Sequence, residues 1–290
     1  MKMKRSFYIA GGDLRAVYLA NRLAEDGFSV SAFALAVKEL SSKVTVSTDL
    51  SESGNCDTVI LPLPAADKEG FLNAPFLKEK IPFSELLEKL TPKTMLIGGK
   101  MTEETKKFCQ ERKIPWEDYY EREEFTVRNA SLTAEAAVAL ALELLEESIQ
   151  GTRVLILGHG RIGRLLLAML KALDANVTVA ARRFSDLAWI RSEGGIPLEF
   201  RRLREKLGDF RVVFNTVPAL VLKKEELELL NGDTILIDLA SAPGGVDFEA
   251  AKERGIEAKK ALGLPGKFAP KTAGTIVYET VLHILKEREE

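Results

Sequence analysis

Gly158-His159-Gly160-Arg161-Ile162-Gly163 satisfies G-x-G-x-x-G, the spacing of a phosphate cradle. Three glycines alone say little, but here they directly follow the apolar run Val154-Leu155-Ile156-Leu157 and directly precede a helical pattern. That strand–turn–helix setting is the one the chemistry requires. In it Gly158 permits the tight turn, Gly160 lets backbone approach a pyrophosphate, and Gly163 lets the helix pack close on the strand. The helix start then offers N–H groups and a positive dipole end to the phosphates. The ligand indicated is a nicotinamide dinucleotide.

The end of the next strand separates NAD from NADP. An NAD site usually carries an acid there for the ribose 2′-hydroxyl. This chain instead reads Ala180-Ala181-Arg182-Arg183-Phe184-Ser185, with Arg182 lying 24 positions after Gly158. Two guanidiniums suit a 2′-phosphate, which arginine pairs bidentately, so the spacing favours NADP(H).

Three Gly- and Pro-rich segments should open at the carboxyl ends of strands, where open α/β sheets bind ligands. The first is Asn215-Thr216-Val217-Pro218 and the second runs from Asp238 through Leu239, Ala240 and Ser241 to Gly245. The third, Gly263 to Gly274, holds Pro265, Lys271 and Thr272 and reads as a rigid loop. Thr216, Val217, Pro218, Leu239, Ala240 and Ser241 are assigned to the cofactor. Asn215, Lys271 and Thr272 are assigned to the chemistry, and Lys271 serves as the base if burial lowers its pKa. Of the two histidines, His159 belongs to the phosphate loop and His283 to a terminal helix. The 2-hydroxy-acid dehydrogenases of this build use a histidine acid with an arginine, and the Gly263-to-Gly274 stretch has no histidine to offer. No metal site is expected.

Positioning these groups takes two α/β halves. Strands are expected at Ser6 to Ala10, Phe28 to Leu35, Thr58 to Leu63 and Met95 to Ile97, with one helix after the Gly11-Gly12-Asp13 turn running to about Asp26 and another from Thr102 to Arg112. The second half offers strands at Arg153 to Leu157, Asn176 to Ala181, Val212 to Thr216 and Thr234 to Leu239, with shorter ones near Pro197 and Ala258. Between the halves, Asn129 to Ser148 is rich in Ala, Leu and Glu and should be one helix. The fold class is therefore α/β, with two doubly wound parallel-sheet (Rossmann-like) domains flanking a cleft. The boundaries fall at 1–128 for the substrate-side domain, 129–150 for the linking helix and 151–274 for the nucleotide domain. A terminal helix over 275–290 packs back on the first domain. Gly12, Asp13 and Arg15 at the first helix, Asn129 and Thr133 on the linking helix, and Pro265 are the substrate-binding candidates.

Bulk composition agrees with a two-domain enzyme. The 290 residues are 46% hydrophobic and 29% charged, with a formal net charge of −2. Nothing in that balance offers the field that nucleic acid or a membrane surface needs. Met1-Lys2-Met3-Lys4-Arg5 runs into a strand without the apolar stretch of a signal peptide. A cytoplasmic protein with Cys56 and Cys109 reduced is expected.

The Asp238-to-Phe248 segment and the Gly263-to-Gly274 loop, with the glycine loop, Asn215-Thr216-Val217-Pro218 and Gly11-Gly12-Asp13 in support, resemble the A-subunit family of dipicolinate synthases of spore-forming bacteria. The resemblance covers nearly the whole chain. Ala242 stands where that family often carries arginine, so no carboxylate contact is assigned there. The resemblance implies NADP-linked formation of dipicolinate from a dihydrodipicolinate-type product of the lysine pathway. It also implies a partner, the smaller flavoprotein-like B subunit, with expression in the sporulating mother cell; a homo-oligomer is expected too. Arg15 and Lys271 would then meet the substrate's two carboxylates. Two other readings stand beside it: a nucleotide-binding regulatory or scaffold protein without chemistry of its own, and another dehydrogenase of an amino or hydroxy acid.

Overall fold

In the computed structural model, which describes residues 5–290, the chain divides into two compact units. One runs to Asn129 and is completed by Ala269–Glu290; the other is Ala130–Phe268. The expectation about a leader at residues 1–4 lies outside the described residues.

The first unit holds strands β1 (Ser6–Ala10), β2 (Ser29–Phe33), β3 (Thr45–Ser47), β4 (Thr58–Ile60), β5 (Met95–Gly98) and β6 (Trp116–Asp118). Around them lie helices α1 (Leu14–Glu25), α2 (Phe83–Lys89) and α3 (Glu103–Glu111). All pairings are parallel, in the order β3-β2-β1-β4-β5-β6. Sequence order reverses between β1 and β4, and such a switch point opens a crevice at the strands' carboxyl ends.

Helix α4 (Glu123–Leu144) starts six residues before the expected Asn129 and stops before Ser148. Glu123 and Glu124 complement the positive end of its dipole, while Glu143, Glu146 and Glu147 crowd the negative end with no basic residue in the last turn. Asn129 and Thr133 are thus inside the helix and not at its entrance.

The second unit repeats the plan. Strands β7 (Arg153–Leu157), β8 (Asn176–Ala181), β9 (Ile196–Glu199), β10 (Val212–Asn215), β11 (Ile235–Asp238) and β12 (Glu257–Lys260) pair in the order β12-β11-β10-β7-β8-β9. Helices α5 (Arg161–Ala172), α6 (Phe184–Ser192), α7 (Lys224–Leu227), α8 (Phe248–Glu253) and α9 (Leu264–Phe268) connect or flank them. Strand side chains alternate faces, and both faces here are apolar. Val154 and Ile156 enter one cluster with Leu166 and Leu170 of α5, while Leu155 and Leu157 enter the other with Ala251 of α8. A central strand buried on both sides is what a parallel sheet demands.

The expected rigid loop over Gly263 to Gly274 is mostly helical. Helix α9 occupies Leu264–Phe268 and helix α10 (Pro270–Glu289) begins five residues before the expected 275. Pro270 stands at the start of α10, where a fixed φ and a missing N–H cost nothing. Helix α10 packs on α1, bringing Ile276, Val277, Val281, Ile284 and Leu285 out of water. A Cβ on Gly274 would lie 2.7 Å from the Arg15 carbonyl oxygen and 2.8 Å from Tyr18 Cβ, so the two helices touch backbone to backbone there. Further along, the Tyr278 hydroxyl donates to Asp26, and Arg22 lies over the Tyr278 ring. The two contacts run in the same chain order, so α1 and α10 are parallel neighbours.

Candidate functional site

In the second unit the site is built around the β7–β10 switch point. Gly158 has φ +97°, and a Cβ there would meet Thr216 Oγ1 at 2.5 Å. Thr216 in turn donates from Oγ1 to the Leu157 carbonyl at 2.8 Å, tying the end of β10 to the end of β7. A Cβ on Gly163 would sit 2.2 Å from the Gly158 carbonyl oxygen, so α5 can approach the turn only without a side chain. Above Gly160, the N-cap of α5, nothing lies within 4 Å. Closed beneath and open above, the loop fits a pyrophosphate on the N-terminal end of α5. Helix α5 begins at Arg161, inside the glycine motif and not after it. Arg161 is exposed, and Ile162 packs on the core.

His159 is nearly enclosed, its side chain 2% exposed, with Nε2 2.8 Å from Glu193 Oε2. Glu193 also receives Arg164 through Nε and Nη2. Partial burial works to raise the Glu193 pKa, but the His159 and Arg164 hydrogen bonds outweigh it and hold the carboxyl below its ordinary value. The Nε2 of the imidazole is therefore committed to Glu193.

Arg182 and Arg183 follow β8 and both are exposed. They differ in company. Arg183 donates from Nε and Nη2 to the two oxygens of Asp186 at 2.9 and 2.8 Å, whereas Arg182 lies over the Phe200 ring, 5.3 Å from its centroid.

Asn215, assigned to the chemistry from sequence, is fully buried. Its Nδ2 donates to Asp238 Oδ1 at 2.7 Å and to the Val217 carbonyl at 3.1 Å, and its Oδ1 accepts from the Val217 N–H. An amide so saturated has nothing left for a substrate. It is a tie that shapes the Thr216-Val217-Pro218 turn. Its partner Asp238 carries no assignment from sequence, yet it organises the second loop as well. Its carboxylate accepts from the Ala240 and Gly245 N–H groups at 3.2 and 3.1 Å. An acid ending the apolar run Ile235-Leu236-Ile237 is the sequence signal that points to it. Leu239 and Ala240 are buried beneath the loop, Ser241 and Pro218 are exposed, and Val217 is half-buried. Pro265 is buried in α9.

In the first unit the residues gather at the β1–β4 switch point. Asp13 caps α1, accepting from the Arg15 N–H. Arg15, its side chain 15% exposed, turns back on Asp13 through Nε and Nη2 at 2.9 Å and reaches the Leu63 carbonyl at 2.8 Å. Burial opposes its charge, but the Asp13 contacts prevail and raise its pKa. Gly12, Asp13, Arg15, Pro62, Leu63 and Tyr119 line a small pocket here. Tyr119 is buried, its hydroxyl donating to the Leu61 carbonyl, and desolvation pushes its pKa up.

Lys271 and Thr272 lie exposed in the first turn of α10. The burial on which a base role for Lys271 rests is missing. Because α1 and α10 are parallel, the N-terminal ends of both helices, with Arg15 and Lys271, come to one rim of this unit. Cys56 and Cys109 are free, and burial pushes the Cys109 thiol up to about 11. Among the described residues no cluster of three His, Cys, Asp or Glu is placed to hold a metal, and no helix is long and apolar enough to cross a membrane.

Comparison with known proteins agrees with this architecture. Residues 126–250 match the model of the D-isomer specific 2-hydroxyacid dehydrogenase NAD binding domain, so the second unit is a dehydrogenase-type nicotinamide-dinucleotide domain. A transhydrogenase from Sinorhizobium meliloti shares the fold at 15% identity and a TM-score of 0.72, over 98% of this chain and 94% of its own. Residues 6–120 match the N-terminal domain of the dipicolinate synthase A subunit. A crystal structure of the dipicolinate synthase A subunit from Bacillus halodurans superposes with a TM-score of 0.88 at 30% identity, covering 97% of both chains. The corresponding dipicolinate synthase chain of Bacillus subtilis (strain 168) is 30% identical over 282 residues, 96% of this chain and 95% of that one. Two matched halves and one full-length relative place the whole chain, not just its nucleotide domain, in the dipicolinate synthase A-subunit family.

Proposed function

We propose that this chain is an NADP-dependent oxidoreductase that converts a dihydrodipicolinate-type intermediate into dipicolinate (pyridine-2,6-dicarboxylate). The observation that carries the proposal is a glycine loop shaped for a pyrophosphate beside a β8 end at which Arg182, paired with no carboxylate among the described residues, stands where an NAD site carries an acid. The glycine loop and Arg182 would hold an oxidised nicotinamide dinucleotide, which would supply the hydride acceptor. The ring gives up one C–H hydride and one proton and becomes aromatic, which makes the reaction downhill. The chain's residues have then to hold the ring, exclude water and lead the proton away.

Lys271 and Arg15, the latter through the Nη1 that its Asp13 and Leu63 bonds leave open, supply the donors for the two carboxylates. Two parallel helix N-termini add positive potential on the same rim. The exposure of Lys271 favours this role over that of a base, and Thr272 beside it offers a hydroxyl for the same carboxylate. Gly12 and Asp13 shape the pocket floor, Asp13 by holding Arg15 in place. The mother-cell cytoplasm during sporulation and a smaller, flavoprotein-like B subunit belong to the same proposal, which rests there on the name of the relatives.

Turnover of the lysine-pathway intermediate with NADP+, followed as NADPH absorbance with and without the candidate B subunit, tests the proposal. Tight NADPH binding without NADPH formation in either mixture would favour a scaffold role instead. In the active mixture, Lys271→Met should raise KM for the dicarboxylate ~10-fold or more, the cost of one charge-assisted contact. NADPH affinity, measured by calorimetry, should stay within a few-fold. An unchanged KM would remove Lys271 from the site.

A further inference from the structure

We infer that Phe200 sets the nucleotide preference of this protein, holding Arg182 over its ring as the single reader of the 2′-phosphate. Arg183 then has a structural role at the start of α6. The inference deepens the NADP reading above and rests on it.

The argument starts from strand register. Strands β8 and β9 run parallel with Ala181 opposite Glu199, so the next step along each chain sets Arg182 beside Phe200. Phe200 is partly buried against the cluster that contains Leu198, Leu203 and Leu207, which fixes its ring from below. Arg182 lies over that ring. A cation over a ring face spends none of its hydrogen bonds on a carboxylate there, so its N–H groups stay available to an acceptor and ring contact and phosphate binding do not compete.

The charges nearby sharpen the assignment. Arg183 is spent on Asp186, and three arginines close by in sequence have carboxylates of their own: Arg201 pairs with Glu199, Arg202 with Glu205 and Arg204 with Glu226. Among the described residues Arg182 has no hydrogen bond and no ion pair. It is an oriented, unneutralised cation where β8 ends, the place at which nucleotide sites of this fold distinguish a 2′-hydroxyl from a 2′-phosphate. The long side chain of an exposed arginine loses rotamer freedom on docking an anion. The Phe200 ring reduces that loss before the nucleotide arrives.

Calorimetric Kd values for NADPH and NADH, measured on the full chain and four variants, test this. The wild type should favour NADPH. Arg182→Ala should cut that preference about 10-fold or more, as expected for loss of a charge-assisted contact. Phe200→Leu keeps the apolar anchor but loses the aromatic face, and should cut the preference about 2- to 5-fold with NADH affinity unchanged. Phe200→Tyr should restore it, and Arg183→Ala should leave the ratio within two-fold. A Phe200→Leu ratio equal to wild type, or a collapse of the ratio in Arg183→Ala, would overturn the inference while leaving NADP binding intact. Equal affinity of the wild type for both nucleotides would overturn the NADP reading itself, and the inference with it.

Discussion

Gly163→Ala is expected to weaken NADPH binding by ~100-fold or more, a loss of about 2.7 kcal/mol. The added methyl would sit 2.2 Å from the Gly158 carbonyl oxygen, a backbone atom that cannot rotate away. Either α5 must back off the sheet or the turn must deform, and both displace the N–H groups that face the pyrophosphate. Gly232→Ala is the matched control, because nothing lies within 4 Å of its new methyl. Calorimetry with NADPH on both variants decides the matter, with circular dichroism to verify that each is folded. Near-normal affinity in a folded Gly163→Ala protein would place the nucleotide elsewhere.

The second large effect is on stability. Asp238→Ala should lower Tm by on the order of 10 °C. Three buried donors lose their acceptor at once: Asn215 Nδ2 and the N–H groups of Ala240 and Gly245. At ~1–3 kcal/mol for each donor left unsatisfied, and with water able to rescue some, ~3–5 kcal/mol is a reasonable total. For a domain of this size each kcal/mol moves Tm by ~2–4 °C. Asp238→Asn keeps the volume but turns an N–H2 group toward donors, so it should recover only part of the loss. Differential scanning calorimetry measures both. Asp238→Ala at the wild-type Tm would mean that the two loops hold their shape without this carboxylate.

Much of the fold is legible in the sequence because its signals are local. Strands Ser6–Ala10, Arg153–Leu157 and Asn176–Ala181 are short apolar runs with Gly or polar boundaries, and the structure places them at the residues expected. Strands β3 and β6 are three residues each at sheet edges, too short to show a period. The largest departure is the Gly263-to-Gly274 stretch. Its Gly and Pro content reads as a loop, but Pro270 starts a helix, and Gly274 is there for the close approach of α1. Residue types alone do not tell a proline that breaks a helix from one that begins it.

The candidate site is legible to a lesser degree. The glycine loop depends on neighbours in sequence and can be read directly. The saturation of Asn215 by Asp238, the enclosure of His159 by Glu193 and the different company of Arg182 and Arg183 all depend on partners 3 to 34 residues away. Apart from the local Arg183–Asp186 pair, such pairings exist only once strands have found their order.

The return of α10 to the first unit also orders events on the ribosome. Nascent chains usually complete their N-terminal domain first. Here the second unit is one continuous stretch, Ala130–Phe268, and has all its strands before Ala269 is made. The first unit must wait for α10 to emerge, with the α1 surface that it packs on uncovered until then. Synthesis halted around codon 269 would yield a product with both sheets complete and one apolar face open to chaperones or proteases. The earlier-synthesised half of this protein is thus the later one to be sealed.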